Sequence, residues 1–236
     1  MDGFYNNNNV TAIIYAHLPG QQSGTALVNL MYGKQSFSGR LPYTVAKQAS
    51  DYGNVLHPTA PDNTSLYYTQ SNFTEGVYID YKYFMKNNIQ PRFAFGFGLT
   101  YTNFRYSNLA VSFPSTNLTR LPANATVVSG GNPRLFDTLA TVTATVQNTG
   151  KVAAAEVAQL YVKIPNGPQK VLRGFVKQNI NPGMGVQVSF ALTRRDLSTW
   201  DVVAQNWVLQ SGQYRFMVGK NVMDTPLSSG MAITTK

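Results

Sequence analysis

Ala140–Ile164 reads ATVTATVQNTGKVAAAEVAQLYVKI. It holds two short β patterns, Ala140–Gln147 and Val157–Ile164, with the turn signal Asn148-Thr149-Gly150 between them. Apolar and β-branched runs bounded by Asn and Gly are what a strand, a turn and a second strand require. The same unit recurs outward in both directions. Leu109–Phe113 lies upstream, and Val171–Val176, Val186–Leu192, Trp207–Leu209, Tyr214–Val218 and Met231–Thr234 lie downstream. Pro165-Asn166-Gly167, Asn181-Pro182-Gly183 and Gln210-Ser211-Gly212 punctuate them. Short strands spaced by turns over about 125 residues indicate an antiparallel β-sandwich.

Further upstream the pattern changes. Val10–Ala16 (VTAIIYA) is a nearly continuous apolar run, which suits a strand buried on both faces. His17-Leu18-Pro19-Gly20 reads as a turn, and Ser23 is placed to cap a helix running through Ala26, Leu27, Leu30 and Met31. Those four positions share one helical face, and Gly33 is placed as a stop. Leu41–Ala46 (LPYTVA) reads as the next strand. Strand, helix and strand make a βαβ unit. Two parallel strands and one helix cannot cover both faces of a buried sheet, so the rest of that sheet is expected upstream of this chain. Between the βαβ unit and the sandwich, about 49–106, the sequence is rich in Asn, Tyr, Pro and Gly. There, Val77–Phe84 (VYIDYKYF) alternates like a strand. The expected division is 1–48 for the α/β part, 49–106 for a loop-rich connection and 107–236 for the sandwich.

Composition narrows the function classes. The 236 residues are 43% hydrophobic and 12% aromatic, enough for a core. Only 12% are charged, against about 25% in an ordinary soluble domain. No run reaches the 18 apolar residues that a membrane helix needs. With no cysteine there is no disulfide framework and no thiolate nucleophile or metal ligand. Met1–Asn9 has neither a basic n-region nor an apolar h-region, so no signal-peptide pattern is present. The net charge is +9, most of it after Asn108, where 12 basic residues face 5 acidic ones. The longest basic run is the pair Arg194-Arg195. Scattered cations of this kind read as a solvated surface, not a nucleic-acid footprint.

Taken in order, the motifs resemble one family. Asn9–Ala46 (NVTAIIYAHLPGQQSGTALVNLMYGKQSFSGRLPYTVA) is similar to the closing strand–helix–strand of the α/β domain of family 3 glycoside hydrolases. Gly76–Phe104 (GVYIDYKYFMKNNIQPRFAFGFGLTYTNF) resembles the segment that follows it there. Val142–Tyr161, Leu172–Pro182 (LRGFVKQNINP) and Phe190–Asp201 (FALTRRDLSTWD) resemble that family's C-terminal fibronectin-III-like sandwich. The nearest likeness is to fungal β-glucosidases. The resemblance implies the C-terminal portion of an enzyme that releases terminal glucose from β-glucosides or oligosaccharides. It implies an upstream barrel domain, a secreted parent enzyme, no cofactor and no metal. In that family the nucleophilic aspartate and the acid/base glutamate would both precede Met1. No catalytic residue is therefore expected in this chain, whose role would be scaffold. A β-xylosidase-type member of the family and a non-catalytic secreted carbohydrate-binding module are the alternatives. Gln22, Asn29 and Lys34 stand where the fungal pattern more often has Glu, Asp and Asp, and Met85 stands where it often has Asp.

Retaining glycoside hydrolysis needs two carboxylates about 5–5.5 Å apart. Ser50-Asp51-Tyr52 superficially matches the family's nucleophile tripeptide, but its polar loop setting makes Asp51 a loop cap. Glu75 and Asp80, five apart in an expected extended segment, would face opposite sides, and pairing with Lys82 or Arg92 suits them better. His17 and His57 are the only histidines, too few for a metal site. His17, at an expected strand end, could touch substrate but reads better as a packed turn residue. Leu18–Gly24 lacks the spacing and lysine of a phosphate loop. Phe93, Phe95, Phe97, Tyr101 and Phe104 could stack on sugars but read better as interdomain core, as do Trp200 and Trp207 within the sandwich. Asn-x-Ser/Thr triplets begin at Asn9, Asn63, Asn72, Asn117 and Asn124. The last four fall in expected loops and are the candidate glycosylation sites.

Overall fold

The computed structural model describes residues 2–56, 60–61, 69, 72–113 and 118–236. Its centre is a two-layer antiparallel sandwich. One sheet has the order β1(Phe104–Ser112), β2(Thr138–Asn148), β5(Gly185–Thr193). The other runs β4(Val171–Ile180), β3(Ala154–Lys163), β8(Gly212–Gly219), β9(Leu227–Ile233). A separate hairpin joins β6(Ser198–Asp201) to β7(Asn206–Leu209). Each of the eight expected β patterns lies in or overlaps one of these strands. The four-residue β6 is additional.

The period of two sets the core. Along β2, Ala140, Val142, Ala144 and Val146 point inward, while Thr141, Thr143 and Thr145 alternate with them. They meet Ala158, Leu160 and Val162 of β3, Val188, Phe190 and Leu192 of β5, and Tyr214, Phe216 and Val218 of β8. The buried Tyr214 hydroxyl donates to the carbonyls of Leu197 and Gln210, 3.0 Å each. Burial pushes this phenol up to about 12. Thr193 and Asp196 close a capping box on the one-turn helix Arg194–Leu197 that leads from β5 into β6.

The α/β-type portion precedes the sandwich, and its details depart from the sequence expectation. Its helix, α2(Ser23–Met31), follows a single turn α1(Asp2–Tyr5). Ser23 is its first residue, not its cap, which is Gln22 without a side-chain bond. Gly33, at φ +72, ends it as expected. The flanking runs 10–16 and 41–46 are not ladder strands. A strand exists only where another offers its N–H and C=O groups, and among the described residues 10–16 belong to no β-ladder or bridge. The run 41–46 finds an irregular antiparallel partner: Leu41 N donates to Phe97 O and Val45 N to Phe93 O, both at 2.9 Å. The run 77–84 is likewise not a strand. Tyr81–Lys86 forms α3, because Tyr81 and Phe84, three apart, bury together on one helical face. Ile13, Ile14, Tyr15, Leu27, Val28 and Met31 remain exposed, forming the molecule's apolar flank.

Leu160 is fully buried, whereas Phe175 on β4 is 66% exposed. We expect Leu160→Ala to cost about 2–5 kcal/mol and Phe175→Ser to stay within about 0.5 kcal/mol. Both tryptophans lie in the β6–β7 hairpin, whose Leu209 packs into the sandwich core, so indole fluorescence follows denaturant unfolding through that hairpin.

Candidate functional site

The chemistry-bearing side chains gather where the connecting segment meets the sandwich. Glu156 sits on β3 in the inward register of Ala154 and Ala158 and is 2% exposed. A carboxylate so deep needs a counter-charge. Arg40 supplies it from the irregular run after α2, with Nη2 2.5 Å from Glu156 Oε2 and the side chain 9% exposed. Tyr106 of β1 donates its hydroxyl to Glu156 Oε1 at 2.7 Å. Burial first, then the Glu156 charge and its hydrogen bond, drive the Tyr106 phenol far above its ordinary value. One carboxylate thus joins both sheets and the upstream segment.

A second junction lies on the outer face of β3. Gln159 Nε2 donates to Gly96 O at 3.0 Å and to Lys220 O at 2.6 Å, while Tyr161 donates to Gln159 Oε1 at 2.6 Å. Gly96, at φ +80, is required: a Cβ there would lie 2.1 Å from Gln159 Oε1. Tyr81, Ala94, Tyr161, Met217 and Val222 form a separate buried cluster, with Phe95 packed against it. Burial pushes the Tyr161 phenol well up.

The residues singled out from sequence fall as follows. Asp51 accepts from the N–H groups of Lys47 and Gln48, both at 3.2 Å, which makes it the loop cap expected. Asp80, at φ +53 before α3, accepts from Thr44 N and Oγ1 at 2.9 and 3.1 Å. Glu75 lies in a turn, so the extended geometry expected for the pair is absent. His17 is exposed, its ring 5.9 Å from those of Tyr15 and Tyr43. His57, Asn63 and Asn117 lie outside the described residues. Asn72 and Asn124 are exposed. Phe95 and Phe104 are packed as interdomain and sandwich core, and Phe93 stacks on Phe97 at 5.3 Å. Tyr101 is exposed, and its hydroxyl donates to Leu30 O. Trp200 departs from the core reading: it is 49% exposed, edge-on to the half-buried Trp207 at 5.9 Å. Among the described residues no three His, Asp or Glu side chains gather as a metal site would require. Arg40, Glu156 and Gln159 were missed. The one available signal was a charged residue inside the apolar run AAEVAQLYV.

The geometry is that of a sandwich clamped by a buried ion pair to an aromatic, irregular segment. Comparison with known proteins gives the family. Residues 1–101 match the glycosyl hydrolase family 3 C-terminal domain, and residues 156–222 match the fibronectin type III-like domain. The chain belongs to glycoside hydrolase family 3 and carries these two C-terminal elements of it. It is 56% identical over 227 residues to the probable beta-glucosidase M of Aspergillus niger, covering 96% of this chain and 30% of that protein. Among solved structures, the Trichoderma reesei beta-D-glucoside glucohydrolase superposes with a TM-score of 0.82 at 42% identity, over 92% of this chain and 29% of that one. A family 3 beta-glucosidase from Neurospora crassa gives 0.87 at 32% identity, over 98% and 36%. The chain therefore spans about 30% of the length of the curated relatives it matches.

Replacing Glu156 by Gln keeps the shape but leaves Arg40 buried without its charge partner. We expect a loss of about 3–5 kcal/mol, with faster amide exchange at 39–46, where Leu41 and Val45 bond the connecting segment.

Proposed function

We propose that this chain is the framework portion of a β-glucosidase, an enzyme that hydrolyses terminal β-glucosyl residues. The observation that carries the reading is the clamp of Arg40 and Gly96 onto β3, set in a chain 56% identical to a beta-glucosidase over nearly its whole length. The described carboxylates support it. Asp51, Asp80, Glu156, Asp196 and Asp201 each hold backbone or side-chain donors that maintain the fold. The catalytic pair and the glucoside-binding pocket would then come from the rest of the enzyme. The apolar flank of 13–31 is the surface we assign to that contact. Secretion and glycosylation at Asn72 and Asn124 fit the same reading, since both side chains are exposed.

A chimera tests it. The 227-residue segment of the Aspergillus niger protein is replaced by this chain, and aryl β-glucoside hydrolysis is measured. The expected result is retained hydrolysis by the chimera and none by this chain alone. A folded but inactive chimera, or turnover of about 1 s⁻¹ or more by the isolated chain, would overturn the proposal. An aryl β-xyloside run in parallel separates the β-xylosidase-type alternative.

A second reading, carbohydrate binding by the sandwich, rests on the exposed Trp200 indole. Loss of insoluble-glucan pull-down on Trp200→Ala would support it, and no pull-down by the parent chain would end it.

A further inference from the structure

A small cavity lies where the connecting segment meets the sandwich. It measures about 160 Å³ and opens between α3 and the turn that joins β3 to β4. Lys82 and Lys86 enter from α3, four residues apart and hence on one helical face. Lys170 enters from the far wall, beside Gln169, with Met85 and Tyr78 completing the lining. Three lysines line one small space, and like charges gathered this way repel each other unless something negative lies among them.

The neighbouring carboxylates are otherwise engaged. Asp80 acts on Lys82 at a distance but gives both oxygens to Thr44. Asp224 acts on Lys170 at a distance, while its carboxylate faces Lys220 at 3.7 Å. Among the described residues no carboxylate lies within ion-pair distance of Lys82, Lys86 or Lys170. A further cation, Arg173, acts on Lys82 from behind, and its buried Nε has no hydrogen-bond partner among the described residues. Lys170 is held in place by Val222 O at 2.6 Å and Thr225 Oγ1 at 2.8 Å, and Lys86 lies 4.2 Å from the centre of the Tyr78 ring. The lysines are therefore pre-positioned, and Lys170 retains a third N–H to offer.

We propose that this cavity is an anion site that takes a small oxyanion, a phosphate, a sulfate or the carboxylate of a sugar acid. Bound there, the oxyanion bridges Lys82 and Lys86 of the connecting segment to Lys170 of the sandwich, and so tightens the junction of the two parts. The low ammonium pKa values agree. Burial first, then Arg173, depress Lys82, and burial depresses Lys170. An anion relieves both.

The test is thermal unfolding of the full chain in increasing sodium phosphate, at fixed pH and at ionic strength held constant with sodium chloride. A saturable rise is expected, roughly 3–6 °C when phosphate reaches ten times its Kd. Lys82→Met removes the saturable rise. Met85→Asp removes it too, because its carboxylate enters the space the anion would fill. Lys177→Met, on exposed β4, keeps it. Sulfate and glucuronate, titrated separately, identify the source: a tighter response to glucuronate assigns the site to sugar acids, a tighter one to phosphate or sulfate to inorganic oxyanions. A rise that never saturates and is identical in the parent and Lys82→Met is solute exclusion and overturns the proposal, as does no rise at all.

Discussion

Glu156 is the residue on which the arrangement turns. β3 is a central strand, hydrogen-bonded to β4 on one side and β8 on the other, so an inward side chain on it cannot reach water without parting the two sheets. A carboxylate at an inward position of such a strand is costly unless a cation meets it. Among the described residues the cation that meets it is Arg40, 116 residues earlier. The position of the irregular segment is thus set by a charge requirement, not by a ladder. Gly98 lets the segment close around the arginine: a Cβ there would lie 2.1 Å from Gly39 O.

The outer face of β3 follows the same logic in apolar form. Tyr161 and Met217 point away from the inter-sheet core, and in a free-standing sandwich they would be wet. Tyr81, Phe95 and Val222 dry them. The Gln159 amide then satisfies the carbonyls of Gly96 and Lys220, which this covering would otherwise strand. Strand β3 is consequently buried on both faces from Ala158 to Val162, unlike the one-faced alternation of β2. The sequence shows this directly, since AEVAQLYV lacks the strict polar alternation of TVTATVQ.

What could be read from sequence divides along the range of the interaction. The sandwich was legible because its signals are local: period two, and Asn, Pro or Gly at each turn. The strands expected at 10–16 and 41–46 do not form as ladders, because an apolar run records that a segment wants burial, while a ladder depends on a distant partner. VYIDYKYF misled for a related reason. Its alternation fits a strand, but the pair Tyr81 and Phe84 also fits one helical turn, and tertiary burial chose the helix. The residue type of Trp200 points to core, yet its register across from Trp207 in a hairpin outside both sheets leaves it half in water. The Arg40–Glu156 pair had no local trace beyond one charge in an apolar strand.

The distribution of charge also bears on what the chain does. A hydrolytic carboxylate has to change partners during a reaction, giving up a proton or attacking a sugar carbon. Asp80 cannot change partners without releasing Thr44, whose backbone anchors the run that carries Arg40. Asp196 cannot without opening the turn between β5 and β6. Glu156 cannot without exposing the mouth of the sandwich. Acids bound this tightly into the fold fit the proposed reading, in which the chemistry belongs to residues elsewhere in the enzyme. The lysines around Met85 are the opposite case. Among the described residues no carboxylate holds them in an ion pair, and that is where a ligand is to be sought.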